Sequence, residues 1–393
     1  MAKSPLTSAL KSQRFGSLFA GAAFLAVVGC GAPTPEDKTT FPEQTDNLFF
    51  IGQDLGAIRQ YTQSECCVKA DGTTAYINLY NVFEENLSFG GTGLDASGEP
   101  IEFEGTWGAG PLSAMKSARD FDTEHLAIGL FIANNENPDG LSQLAAGLHD
   151  DKILHLIKLF SHVRGKVFLR IGYEFDGAWN QGYEDAETFK AAWRRIVDVM
   201  RAEGVENVVT VWQSSAAPID DAIEQRHEDI SVWYPGDDYV DWVGLSWFID
   251  GDEEQTVDIG YDVPTARVLA DEVLALAREH GKPVMIAEAS PQGYDITART
   301  TAHHSPLWDG EPNTATRQLT EQELWDAWFA PFFAYVQAND DVIDAIAYIN
   351  CNWDAQPMWG PPYEGGYWGD TRVNQSEVIT ANWNEAMVRW RGR

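Results

Sequence analysis

Two glutamates, Glu174 and Glu288, each close a short apolar run and open a polar, aromatic-rich loop: Lys166-Val-Phe-Leu-Arg-Ile-Gly-Tyr-Glu174 and Lys282-Pro-Val-Met-Ile-Ala-Glu288. Runs of this length and composition read as buried parallel strands. In a barrel of such strands, a carboxylate at the carboxyl end is placed for chemistry rather than for stability. Two carboxylates can divide the work on a glycosidic bond, one protonating the leaving oxygen and the other attacking the anomeric carbon. The acid must keep its proton near neutral pH, which burial and a negative neighbour favour. The nucleophile must stay ionised, which a cation favours. Arg170 lies four residues before Glu174, so it shares a strand face with it and is the candidate cation. A buried ion pair holding the strand in register is an equal use of it.

The loops expected at strand ends, 83–112, 290–320 and 352–375, contain Trp107, Tyr294, Trp308, Trp353, Trp359, Tyr363, Tyr367 and Trp368, in a chain with 15 tryptophans. Indole faces stack on the apolar faces of sugar rings while the N–H bonds hydroxyls, so a groove paved this way suits a neutral glycan. Core packing is the competing use of any one of them. Tyr173, Trp179, Trp212, Trp247, Tyr294 and Trp353 join Arg170 as candidate substrate contacts. Gln53, Asp54, Asn78, Asn81, Gln213, Asn352 and Asp354 also fall at strand ends, where capping a loop competes with bonding a sugar hydroxyl.

Strand-like and helix-like segments alternate along the chain, the pattern of a parallel sheet with crossover helices. The expected strands are Leu48–Gly52, Thr74–Tyr80, His125–Phe131, Lys166–Gly172, Asn207–Trp212, Val240–Trp247, Pro283–Ala287 and Ala345–Asn350. Amphipathic runs Gly140–Ser161, Glu184–Glu203, Thr265–His280 and Glu321–Gln337 lie between them. Eight strands are the count of a (β/α)8 TIM barrel, an α/β fold in which two strands can bring Glu174 and Glu288 to one mouth.

Arg170-Ile-Gly-Tyr-Glu174-Phe-Asp-Gly177-Ala-Trp179 resembles the strand-four signature of glycoside hydrolase family 26, in the clan of retaining barrel glycosidases. Arg170, Glu174, Phe175, Gly177 and Trp179 match; Tyr173 stands where the family has His. The run ending in Glu288 resembles the strand-seven signature. The resemblance covers about 48–383 and implies a retaining glycosidase, with Glu174 as acid/base and Glu288 as nucleophile. On strand six the clan has a Tyr that bonds the nucleophile, whereas this chain offers Ser246, Trp247 and Phe248; Tyr173 and Tyr294 are candidates for the missing hydroxyl. Most members cleave β-1,4-mannan, so the resemblance puts mannan first and β-1,3-xylan or β-glucan second. No cofactor and no metal are implied.

The balance of 27 Lys+Arg against 60 Asp+Glu gives a net charge of −33 and a pI near 4.4. Such a field disfavours nucleic acid and anionic polysaccharide as partners. Lys3, Lys11 and Arg14 precede an uncharged stretch that ends in Val27-Val28-Gly29-Cys30, the pattern of a bacterial lipoprotein signal. The expected organisation is a signal over 1–29, a tether over 30–46 rich in Pro, Thr and Glu, and a catalytic domain over 47–393. Cys30 would carry the lipid that anchors the protein to the cell envelope, at the outer membrane or cell surface. In an oxidising compartment Cys351 could pair with Cys66 or Cys67. His303-His304 reads as a solvated pair, and Asp250-Gly-Asp-Glu-Glu254 as an acidic turn rather than a calcium loop. A surface glycan-binding protein without catalysis is the alternative of another class. A serine esterase lacks its Gly-x-Ser-x-Gly elbow.

Overall fold

The computed structural model describes residues 47–83, 90–102, 104–106, 108–134, 137–224, 226–248, 263–302, 316–359 and 368–392. Cys30, Trp107, Trp308, Tyr363, Tyr367, His303-His304 and the acidic run at 250–254 lie outside the described residues.

Eight parallel strands close into a barrel: β1 (Leu48–Gly52), β2 (Gly72–Asn78), β3 (His125–Phe131), β4 (Val167–Ile171), β5 (Val208–Ser214), β6 (Trp242–Trp247), β7 (Val284–Ala289) and β8 (Ile343–Ile349). Each pairs with its sequence neighbours, and β1 closes on β8 with Leu48 opposite Ala345 and Gly52 opposite Ile349. All eight overlap the strands expected from sequence; β1 and β3 have the expected bounds, and the ends of the others differ by two residues at most.

Side chains alternate between the lumen and the helix layer. Phe50, Ala127, Phe168, Val211, Met285, Ala287, Ala345 and Ala347 form a buried plug in the lower lumen, with Phe50 and Phe168 edge to face at 5.1 Å. Small alanines opposite large rings fill the taper. Above the plug the inward positions turn polar, which gives the barrel a chemically active end.

The helices follow from capped, amphipathic runs. In α4 (Ala186–Ala202) the Asp185 side chain accepts from the Glu187 and Thr188 amides, and the buried face is Phe189, Ala192, Trp193, Ile196, Val197 and Met200. The run at 140–161 is two helices, α2 (Gly140–Ala145) and α3 (Asp150–Phe160), parted at Gly147 with φ +82°. The helix expected over 321–337 is divided by a wide turn at Trp325–Phe329 before α6 (Ala330–Ala338); Pro331 has no N–H to give, and the Ala330 amide bonds Trp325 O instead. Between these, α5 (Ala266–Glu279) is capped by Thr265.

No disulfide is present among the described residues, which corrects the pairing considered for Cys351. The reason is geometric. Cys351 follows β8 at the mouth, buried with Ile349 and Trp353. The nine-residue α1 (Leu55–Gln63) carries the chain toward the other end of the barrel, about 13 Å away, before it reaches Cys66 and Cys67, whose sulfurs lie 3.7 Å apart.

Candidate active site

At the end of β4, Glu174 takes a left-handed backbone conformation, φ +50°, rare for a residue with a side chain. Three bonds hold it there. The Glu174 amide donates to Gln213 O at 3.0 Å, the Gly177 amide donates to Glu174 O at 3.0 Å, and Asn180 Nδ2 donates to the same oxygen at 3.0 Å. Strain at a site held by so many contacts is the usual signature of a side chain that must be aimed. Gly177 belongs to the same fit: a Cβ there would stand 2.6 Å from the Trp179 ring, so only glycine lets Trp179 fold back over the loop. Trp179 Nε1 then donates to Glu174 Oε2 at 2.9 Å, with the ring 40% exposed.

Glu288 on β7 is reached from below by Arg170, whose Nη1 donates to Glu288 Oε1 at 2.6 Å. Arg170 is fully buried, and its guanidinium lies over the rings of Tyr76 at 5.0 Å and Tyr173 at 5.4 Å. Gly129 on β3 leaves room for this stack, since a Cβ would meet Tyr76 at 2.7 Å and Arg170 at 2.9 Å. Gln213 completes the floor: it accepts from Arg170 at 3.0 Å and donates to Ser246 Oγ at 3.0 Å, with Glu288 Oε1 at 3.5 Å. Ser246 Oγ in turn donates to Glu174 Oε1 at 2.7 Å.

The two carboxylates therefore differ in their surroundings. Glu288 has a buried cation against one oxygen. Glu174 has neutral donors and a carboxylate neighbour; burial first, and then the Glu288 charge, hold its carboxyl well above the ordinary glutamate range. Glu174 is thus suited to keep a proton, whereas Glu288 is paired with a cation.

Several residues expected at the mouth are elsewhere. Trp212 points outward from β5, fully buried, stacked on Phe175 at 4.7 Å and donating to Trp233 O. Trp247 also faces the helix layer, against Phe332 and Tyr335. Their inward neighbours, Gln213 and Ser246, take the lumen, so the substrate-contact reading of both tryptophans is corrected by the two-residue period of a strand. Arg170 is likewise a support beneath a carboxylate rather than a sugar contact. Trp353 is buried after β8, its Nε1 donating to Ser290 Oγ and Thr371 Oγ1, each at 3.2 Å. Tyr294 is buried in a small antiparallel sheet with Thr301 opposite it. Tyr173 lies edge to face on Tyr76 at 5.5 Å. The hydroxyl of strand six is supplied by Ser246 itself and goes to Glu174 rather than to Glu288. Asp54, Asn78 and Asn352 cap turns, accepting from Gly56, Tyr80 and Ala355 amides respectively.

Tyr76, on β2, was not anticipated. Burial, and then the Glu288 charge, push its phenol up. Only its inward parity on β2 could have marked it, and that parity needs the strand register.

Behind the Glu174 loop, a cavity is lined by Asp176, Ser214, Asp220, Asp221, His227 and Glu272. Asp176 accepts from Ser214 Oγ and from the Ser215 amide, and Asp220 accepts from the Ala178 amide at 2.5 Å, so both brace the loop that carries Trp179. Burial raises the Asp220 carboxyl to about 8 and that of Asp221 to about 6. Among the described residues no His, Cys, Asp and Glu cluster is placed to hold a metal ion.

Residues 139–292 match the model of Glycosyl hydrolase family 26, a segment that contains both glutamates. The chain is 31% identical over 342 residues to a β-1,3-xylanase of an Alcaligenes species, covering 86% of this chain and 63% of that protein. It is 32% identical over 342 residues to a β-1,3-xylanase of a Vibrio species, covering 86% and 64%. The chain thus spans less than two thirds of the length of these curated relatives. Among solved structures it is similar to the catalytic domain of a family 26 endo-β-1,4-mannanase from Bacillus sp. JAMB-750, with TM-score 0.47, 15% identity, and 88% and 85% of the two chains covered. A family 26 β-mannanase from Bacteroides ovatus gives TM-score 0.44 and 12% identity, with 88% of each chain covered. The chain is a glycoside hydrolase family 26-like (β/α)8 barrel, and both mouth glutamates lie within the family match.

Proposed function

We propose that this protein is a retaining endo-β-glycanase acting on a neutral polysaccharide. The observation that carries the reading is the unequal pair in one hydrogen-bonded floor: Glu288 bound to Arg170 at 2.6 Å, and buried Glu174 bonded by Ser246 and Trp179. In the first step Glu288 attacks the anomeric carbon while Glu174 gives its proton to the leaving oxygen. In the second, Glu174 takes a proton from water, which displaces Glu288 from the sugar. Arg170 pairs with Glu288 and aims it, and exposed Trp179 offers a face for a sugar ring beside Glu174.

For the substrate we put β-1,3-xylan first, because two relatives at 31 and 32% identity bear that name; β-1,4-mannan, favoured by the strand-four resemblance, comes second. Incubation with β-1,3-xylan, β-1,4-mannan and mixed-linkage β-glucan, with proton NMR of the first-formed anomer, tests this. Release of β-1,3-xylo-oligosaccharides with retained configuration supports it. An inverted product overturns the mechanism, and binding without cleavage of any glycan favours a glycan-binding protein. Anchoring through Cys30 belongs to the same proposal: the full-length protein should enter the detergent phase and Cys30→Ser should not. Aqueous partitioning of both would rule the anchor out.

A further inference from the structure

Two hydrogen bonds in the floor of the mouth have a direction that chemistry fixes, and together they leave the Ser246 hydroxyl its hydrogen for a third. Arg170 has donors and no acceptor, so Nη1 donates to Gln213 Oε1 at 3.0 Å and fixes which end of the amide faces it. Gln213 Nε2 then faces away, able only to donate, and lies 3.0 Å from Ser246 Oγ. The hydroxyl of Ser246 receives that bond and cannot return its own hydrogen to an amide nitrogen. It donates to Glu174 Oε1 at 2.7 Å. The four side chains come from β4, β5, β6 and the loop after β4, and Arg170, Gln213 and Ser246 are each at least 96% buried. Water has little access with which to scramble the order.

We propose that Gln213 and Ser246 are positioning residues that keep Glu174 Oε1 an acceptor and so hold the acid proton on Oε2, the oxygen on the Trp179 side of the mouth. This rests on the reading of Glu174 as acid/base. The proton leaves from Oε2 to the glycosidic oxygen in the first step. It is replaced there from water in the second, while Ser246 stabilises the carboxylate between the two. The charged or titratable groups facing Glu174 are Glu288 on β7, Arg170 on β4, Tyr76 on β2, and Tyr173 and Asp176 on its own loop. Its oxygens themselves accept from Ser246 and Trp179.

An infrared pH titration of the unliganded protein tests this without needing turnover. The carbonyl band of protonated Glu174 is assigned by its loss in Glu174→Gln. Ser246→Ala should move that band to higher frequency, because Oε1 loses its donor. The same variant should move the titration midpoint up by about one pH unit, the size expected for one lost bond to a carboxylate. Ser246→Thr keeps a hydroxyl and should keep the wild-type band. Gln213→Leu leaves Ser246 undirected and should give a smaller shift of the same sign. The alkaline limb of kcat/KM should follow the midpoint in each variant. A wild-type band in both Ser246→Ala and Gln213→Leu, or a Ser246→Thr shift as large as that of Ser246→Ala, would overturn the proposal. Band shifts in a protein that cleaves no glycan would instead leave the positioning intact and remove the hydrolase reading.

Discussion

At the level of single residues, the proposed division of labour between Glu174 and Glu288 rests on what each touches. Arg170 neutralises Glu288 from beneath, whereas Glu174 meets only neutral donors and a like charge. Glu288→Ala should therefore abolish turnover of every substrate, whatever its leaving group. Glu174→Ala should cost about 10²–10⁴-fold on polysaccharide yet spare glycosylation by aryl glycosides with acidic phenols. Azide should then yield a retained product with the Glu174 variant and an inverted one with the Glu288 variant, read by NMR. Equal responses of the two variants to leaving group and to azide would show the roles misassigned. Both glutamates were legible in the sequence because a carboxylate closing an apolar run is an anomaly along the chain. Tyr76 was not, since a tyrosine within a strand is ordinary until its partners across the lumen are known.

For the elements, the decisive property is strand parity. On β5 Trp212 faces the helices and Gln213 the lumen, although sequence distance separates them by one residue. Trp212→Ala should thus behave as a core truncation, costing about 3–5 kcal/mol in denaturant melts. Trp179→Ala, at 40% exposure, should barely change the midpoint and should instead lower kcat/KM, because Glu174 Oε2 loses its donor. A Trp212 variant as stable as wild type, or a Trp179 variant with unchanged kinetics, would contradict these placements. Tryptophan content alone pointed to sugar binding, but much of it builds the wall: Trp193, Trp212, Trp328, Trp353 and Trp383 are all among the largest buried side chains.

Over the whole molecule, charge sets the response to pH and salt. The chain carries −33 at pH 7, and buried carboxyls add to the cost of ionisation. Asp220 is raised to about 8, and Asp54 and Asp221 to about 6, in each case chiefly by burial. Their unfolded values lie near 4, so between about pH 4 and 8 the folded state holds more protons than the unfolded one. Stability from these groups is present at the acidic end of that window and is lost as pH rises. The melting temperature should accordingly be higher at pH 5.5 than at pH 8.5, and Asp220→Asn should flatten the slope. Salt should raise the melting temperature at pH 8.5 by screening self-repulsion. A flat profile in both pH and salt would mean that these carboxyls ionise at no cost to the fold.

The amino-acid order by itself determined the barrel, because eight apolar runs spaced by amphipathic ones have few other ways to bury their faces. It also marked Glu174, Glu288, Arg170 and Trp179, whose types and spacing are unusual along one loop and one strand. What the tertiary structure decided was every relation across the lumen. Arg170 on β4 meets Glu288 on β7, and Ser246 on β6 bonds Glu174 rather than Glu288. Gln213 joins the two, and Cys351, after β8, forms no disulfide with Cys66 or Cys67, which follow α1. Local order encodes period and capping, which neighbours along the chain enforce. Register and parity across strands are set only when the sheet closes, and in this molecule the electrostatic difference between two identical side chains is set there too.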